Sequence, residues 1–192
     1  MHSWFPWKSS VPYALVLLAV SAGVNVLQAQ KIKSMRDSGK PPSSIDRVAA
    51  PVAGFSMAGL PLELAPRGDV PTVLYYFSPT CSWCDRNWDN IGALVAAANG
   101  RYRVVAVSTT RGLREYADTR GLNLDVIEGI SENTRQAFGF TSTPHTLVVS
   151  TEGVITHEWR GAFTPRIERQ IEQLFGIELP GIRSAPAETP SK

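Results

Sequence analysis

Residues 72–84 read TVLYYFSPTCSWC. The first seven, 72–78, are dense in β-branched and aromatic side chains and follow Pro71, which is the pattern of a buried strand. Beyond them Cys84, Trp88, Ile91, Val95 and Ala98 recur at spacings of 4, 3, 4 and 3, one face of an α-helix. Asp85, Arg86, Asn87, Asp89 and Asn90 occupy its other faces, and Asp85 and Asp89 are expected to be solvated. Cys84 therefore belongs to a buried stripe, and Cys81 lies at or just before the first turn.

That placement carries chemistry. The first N–H groups of a helix have no partner within it, and the macrodipole puts partial positive charge there. A thiolate at Cys81 is stabilised by both. Such positions lower a cysteine pKa from about 8.5 into a range of roughly 3.5–7.5. Cys84, buried one turn on, is expected to stay protonated until it attacks a mixed disulfide formed at Cys81, which is the sequence of thiol–disulfide exchange. Other readings of the pair fare worse. A zinc site needs two more ligands, and the chain offers only His2, His145 and His157, the last two separated by eleven residues instead of three to five. A structural disulfide would close too short a loop to constrain the unfolded chain much. Two unrelated buried cysteines would not need the strand before them and the helix after.

Around this unit strands and helices alternate from about residue 51 to 180. Strands are expected at 103–108, at 125–128, and at 146–150 and 154–160, the last two flanking Thr151-Glu152-Gly153, a turn of hairpin length. Short helices are expected at 112–120 and 131–138, with Ser131 as N-cap and Gly139 as stop. Thr164 and Pro165 open a final helix whose apolar stripe is Ile167, Ile171, Leu174 and Phe175, and Gly176 ends it. His157 shares a strand face with Ile155 and Trp159 and is read as structural. The pattern predicts an α/β fold, a three-layer sandwich with a mixed central sheet.

The ends differ. Residues 11–27 (VPYALVLLAVSAGVNVL) are apolar and, as a helix, would span roughly 26 Å, close to a bilayer core of about 30 Å. Trp4, Phe5, Trp7 and Tyr13 stand where an interfacial belt would lie. Residues 1–30 are read as a membrane anchor. A cleaved signal is the alternative, since Val20-Ser21-Ala22 supplies small residues. Residues 31–50, with Gly39, Pro41 and Pro42, read as a polar tether, 51–178 as the folded domain, and 179–192 as a disordered tail. Lys8 precedes the apolar run while Lys31, Lys33, Arg36 and Lys40 follow it, so the positive-inside rule alone would put the domain in the cytoplasm.

Composition narrows the partners. With 192 residues, 43% hydrophobic and 19% charged, the chain can bury a core. Nineteen Lys and Arg against seventeen Asp and Glu give no reason to propose nucleic acid. Two cysteines exclude a disulfide-rich scaffold and a four-cysteine zinc centre.

The second element of interest is Thr141-Ser142-Thr143-Pro144-His145, directly before a strand. Together with the cysteine unit it resembles the thioredoxin fold. The polar tether, the Ala50-Pro51…Phe55 opening, FSPTCSWC and STPHTLVVSTEGVI look like the membrane-anchored, TlpA-type thioredoxin-like proteins of bacteria, over roughly residues 50–176. The resemblance implies that Pro144 is cis and faces the sulfurs, and that the Thr143 backbone pairs with an incoming peptide. It implies a thiol–disulfide oxidoreductase without cofactor or metal, probing protein thiols and disulfides with an exposed Trp83. It further implies a monomer, single-pass in the bacterial inner membrane, with its domain in the periplasm (or secreted after signal cleavage). There it would be recharged by a membrane or periplasmic redox donor and act as a reductase, as in cytochrome c maturation or metal-centre assembly.

Departures from the family pattern matter as much. Tyr75 stands where thioredoxin has a buried acid, six residues before the first cysteine, and Asn87 where many anchored relatives have Glu. Tyr75 or Tyr76 is a candidate for orienting a water at the resolving thiol, with packing as the simpler role of each. His145 is a candidate for stabilising a thiolate, or simply opens its strand. Two other functions share the fold. A thiol peroxidase would need Thr where Ser78 stands, and a copper-delivering or assembly-factor module would space its cysteines by three residues where this chain has two.

Overall fold

The computed structural model describes residues 11–38 and 42–182, which fall into two units divided between Pro42 and Ser43. Among the described residues, the first unit holds one helix, α1 (Val11–Ser38). Its segment Leu15–Lys33 is long and apolar enough to cross a membrane, and none of it is buried; a signal sequence near an N-terminus has the same length and composition. The helix runs past residue 30 into the stretch expected to be a tether. The reason is local: 31–38 (KIKSMRDS) holds no Gly or Pro, and the first breakers come afterwards. Trp4, Phe5, Trp7, Lys8, Gly39, Lys40, Pro41 and residues 183–192 of the tail lie outside the described residues.

The second unit is a mixed seven-stranded sheet in the order β2-β1-β5-β4-β3-β6-β7. Its centre is parallel: β3 (Thr72–Tyr76) pairs with β4 (Arg103–Val107), and β4 with β5 (Asp125–Glu128). β6 (His145–Val149) runs antiparallel to β3, and β7 (Ile155–Arg160) antiparallel to β6. β1 (Val52–Ser56) and β2 (Pro61–Leu64) form a hairpin on the far edge that was not anticipated. Gly54 makes that edge possible, because a Cβ there would sit 2.6 Å from Ile127 Cγ2 and 2.8 Å from the Glu128 carbonyl oxygen.

Side chains alternate across the sheet, so each strand feeds two cores. Val73, Tyr75, Phe77, Val104, Ala106 and Val148 point to the side covered by α2 (Ser82–Ala98), α3 (Arg114–Thr119) and α5 (Pro165–Phe175). Leu74, Tyr76, Val105, Val107, Leu147 and Val149 point to the other side. There Phe138 and Phe140, at and just after the end of α4 (Glu132–Ala137), close the third layer. The result is the three-layer arrangement read from the sequence.

Three local readings change. The stretch 43–49 is packed on the domain instead of hanging free. Ser44 is fully buried, its hydroxyl donating to the Phe138 carbonyl at 2.9 Å, and Val48 bridges Val154. The start of the tail also docks: Leu179 is buried, and Gly181 N–H donates to Asn90 Oδ1 at 3.0 Å. Finally Ile155 does not share a face with His157. Val149 faces Ile155 while Val148 faces His157, so Thr156 is an extra residue, and this bulge sends Ile155 into the second core. His157 stays with Trp159, their rings stacked 5.6 Å apart.

Candidate functional site: the helix-capping sulfur and its neighbours

The strand β3 ends at Tyr76, and the chain turns through Ser78-Pro79-Thr80 to reach Cys81. Cys81 is the N-cap of α2, in an extended conformation with φ −88° and ψ 107°. A thiol is not among the preferred caps, yet here it does a cap's work. Cys84 N–H donates to Cys81 Sγ at 3.2 Å, and Asp85 N–H to the Cys81 carbonyl at 3.1 Å. The Cys81 sulfur thus lies against an amide that the helix leaves unpaired, where negative charge is favoured.

Both cysteines are free thiols. Cys81 is partly exposed and Cys84 fully buried. Burial, followed by its hydrogen bond to Cys81, pushes the Cys84 thiol up to about 12, against smaller opposing contributions from the Ser78 backbone and the Thr143 side chain. One sulfur is reachable and capped by an amide; the other is a protonated thiol one turn beneath it. The interaction with Thr143 brings the loop before β6 to the pair, and the Thr143–Pro144 peptide bond there is cis. Pro144 itself is buried, with its carbonyl accepting from Gly161 N–H at 2.8 Å. Trp83 is 49% exposed beside Cys81, with the Arg86 guanidinium 4.4 Å from its ring centroid.

Beneath Cys84 the helix carries a polar cluster that the sequence pattern placed on the wrong side. Asn87 and Asn90 are fully buried. Asn87 Oδ1 accepts from Asn90 Nδ2 at 3.0 Å and from Phe163 N–H at 3.1 Å, and Asn87 Nδ2 donates to the Tyr75 hydroxyl at 3.3 Å. Tyr75 has no exposed surface; its ring stacks on Phe77 at 6.3 Å and meets Trp88 edge-on at 5.2 Å. Burial first, and then the nearby Cys84, hold its phenol well above the ordinary tyrosine range. Asn87 and Asn90 lie three and six positions after Cys84, beside its stripe, and that spacing was the available signal. Their partners at 163 and 181 are too distant in the chain for local periodicity to reveal.

His145 is not beside the sulfurs. It pairs in register with Tyr76 and packs its ring against Phe140 in the second core, on the sheet face opposite Cys84. There it is fully buried, with Nε2 3.0 Å from Glu158 Oε1. Burial lowers its pKa to about 4, despite the carboxylate. The contact is therefore a neutral imidazole donating to a carboxylate, not an ion pair. Glu158, also missed in the sequence, gathers five donors in all: His145, Ser43 Oγ at 2.9 Å, Ser44 N–H at 2.8 Å, and Arg160 through Nε at 2.8 Å and a terminal nitrogen at 2.6 Å. This knot fixes the start of β6, directly after Pro144.

On the flank of α2 a groove of about 600 Å³ runs along Asp85, Trp88, Ile91, Arg120 and Leu124, without reaching either sulfur. Asp85 is indeed at the surface, in an ion pair with Arg120 at 2.5 Å. Among the described residues no group of three or more His, Cys, Asp or Glu is placed to hold a metal ion.

No family model matches the chain, and no curated protein does. Solved structures do. The thioredoxin domain of a thiol-disulfide oxidoreductase from Bacteroides vulgatus superposes with a TM-score of 0.58 at 15% identity, over 70% of this chain and 99% of that one. StoA from Bacillus subtilis gives 0.54 at 15% identity, over 67% and 96%. A thiol:disulfide interchange protein of the thioredoxin family from Chlorobium tepidum gives 0.55 at 17% identity, over 69% and 98%. Likeness at such identities establishes the thioredoxin-like fold of the second unit.

Proposed function

We propose that the protein is a thiol–disulfide oxidoreductase that exchanges disulfides with protein partners through Cys81 and Cys84. The observation that carries this reading is the Cys84 N–H to Cys81 Sγ bond of 3.2 Å, which sets an accessible sulfur in a helix cap above a buried thiol. Cys81 as thiolate attacks a partner disulfide, forming a mixed disulfide and releasing one partner thiol. Cys84 then attacks Cys81 Sγ, the bond to the partner breaks, and the partner leaves with both cysteines reduced. Thr143 and Pro144 supply the backbone against which the partner's chain lies, and Trp83 offers it a flat apolar ring. Because the partner is a polypeptide, an open surface around the sulfurs suits the chemistry better than a closed pocket.

The finer placement belongs to the same reading: a TlpA-type protein held in a bacterial inner membrane by α1, its domain outside the cytoplasm, working as a monomeric reductase recharged by a membrane or periplasmic donor. Support comes from the apolar Leu15–Lys33 segment and from neighbours described as thiol-disulfide oxidoreductases. Insulin reduction by the full chain in detergent tests the activity. Cys81→Ser is expected to abolish it, whereas Cys84→Ser is expected to accumulate a mixed disulfide at Cys81. Equal trapping by the two variants would refute the assigned roles. Equilibration of the pair against glutathione then reads the direction: a potential near about −270 mV marks a reductase, and one near about −120 mV an oxidant.

A further inference from the structure

The resolving step raises a problem that the site answers in an unusual way. Cys84 must become an anion inside an apolar cluster. Tyr75 and Asn87, buried beside it, carry no carboxylate, and Asp85, the acid next to Cys84 in sequence, is exposed and paired with Arg120. Resting on the exchange reading above, we propose that the Tyr75 hydroxyl donates a hydrogen bond to Cys84 Sγ, directly or through one water, as Cys84 attacks the mixed disulfide. Asn87 and Asn90 are the positioning residues that aim it.

The hydrogen-bond directions support this. Asn87 Oδ1 is filled by two donors, Asn90 Nδ2 and Phe163 N–H, so the amide has one orientation open to it and Nδ2 must face Tyr75. The phenol oxygen therefore accepts, and its own O–H is left to donate. Among the described residues that O–H has no acceptor in the reduced protein, and a buried donor without one is costly. Tyr75 and Cys84 belong to one buried cluster with Cys81 packed against it, and the rings of Phe77 and Trp88 hold the tyrosine ring from two sides. In the reduced pair the Cys84 thiol is bonded to Cys81. Once Cys81 carries a partner, that acceptor is spent; the Ser78 backbone and the Thr143 side chain still reach Cys84, and the phenol O–H is the buried donor of the cluster that still has no acceptor.

The balance is simple. The Cys84–Cys81 bond forms and the bond from Cys81 to the partner sulfur breaks. The Cys84 proton ends on the departing thiol, or in bulk water where that sulfur leaves as a thiolate, and Tyr75 keeps its own. The phenol is a donor to an anion and not a base, because burial holds its proton firmly.

The reduced full chain in detergent micelles, mixed with 5,5′-dithiobis(2-nitrobenzoate), should release two chromophoric thiolates in sequence: one as Cys81 is captured, one as Cys84 resolves. Tyr75→Phe keeps the packed ring and removes only the hydroxyl. Its first phase should match the wild type, its second should slow at least about tenfold at pH 7, and the pH profile of that second phase should move up by about one unit, since one pKa unit is a tenfold change. Asn87→Leu, which keeps the phenol but not its support, should shift the second phase the same way by less. A Tyr75→Phe second phase with wild-type rate, or slowed with an unmoved pH profile, overturns the inference and leaves the exchange reading standing. A wild type that never releases the second thiolate overturns both.

Discussion

Acid should unfold this protein through His145, a residue on the opposite face of the sheet from Cys84. Its imidazole is fully buried, and its folded pKa is lowered to about 4 from 6.5, first by burial and then by Arg160, against the pull of Glu158. The groups packed around it are Glu158, Arg160, Tyr76 and the Phe140 ring. The unfolded chain takes up a proton near pH 6.5 and the folded chain holds out to about 4. Above 6.5 both states are neutral and His145 contributes nothing to the pH dependence. Between 6.5 and 4 the unfolded state binds more protons, so stability falls as pH falls. Two and a half units at about 1.4 kcal/mol each come to roughly 3 kcal/mol.

Glu158 titrates differently. Burial pushes its carboxyl up, but hydrogen bonds from the Ser44 backbone, Ser43 and Arg160 more than offset this and bring it below the usual range. Its stabilising contribution is intact above pH 4.5 and is lost only below. Guanidinium unfolding of the full chain in micelles, followed by fluorescence of the buried Trp88 and Trp159, should therefore isolate His145 between pH 6.5 and 4.5. His145→Gln can still donate to Glu158 and has no such titration. It should lose about 2–3 kcal/mol less than the wild type across that window. Parallel pH slopes in the two proteins would refute the reasoning and mean that the imidazole is solvated or already charged in the folded state.

Two further expectations follow from burial alone. Iodoacetamide at pH 8 should place one adduct on the reduced chain, at Cys81, because Cys84 is inaccessible and its thiol is pushed up to about 12; peptide mass spectrometry reads the site, and a comparable adduct on Cys84 would contradict the buried placement. Asn90→Leu should cost about 1–3 kcal/mol in chemical unfolding, since it strands the Gly181 N–H and removes one of the two donors on Asn87 Oδ1; a change under about 0.5 kcal/mol would mean the cluster is not buried as described.

The central strand and its helix were legible because their side chains follow a pattern: 72–76 are β-branched, aliphatic or aromatic without interruption, and Cys84, Trp88 and Ile91 repeat at helical spacing. What stayed hidden depended on distant partners. Asn87 and Asn90 look like surface residues until Phe163 and Gly181 arrive to bond them. His145 appears free until Glu158 arrives from β7. The β1–β2 hairpin escaped because VAGFS and PLEL carry Gly and Pro inside four- and five-residue strands, and Gly54 is there for the close approach of β5, which no local pattern records. The bulge at Thr156 likewise exists only in the pairing of two strands.

The Ser43–Ser44 contacts have a practical side. Anyone trimming the leading helix to obtain a water-soluble fragment would be tempted to begin at Ala50 or Pro51, where the first strand starts. That cut would strip two donors from the Glu158 carboxylate and uncover the Phe138 carbonyl. The fragment would fold with a wound next to the strand that follows Pro144, and a sluggish preparation would say more about the scissors than about the protein. Starting at Pro42 keeps the stitches in.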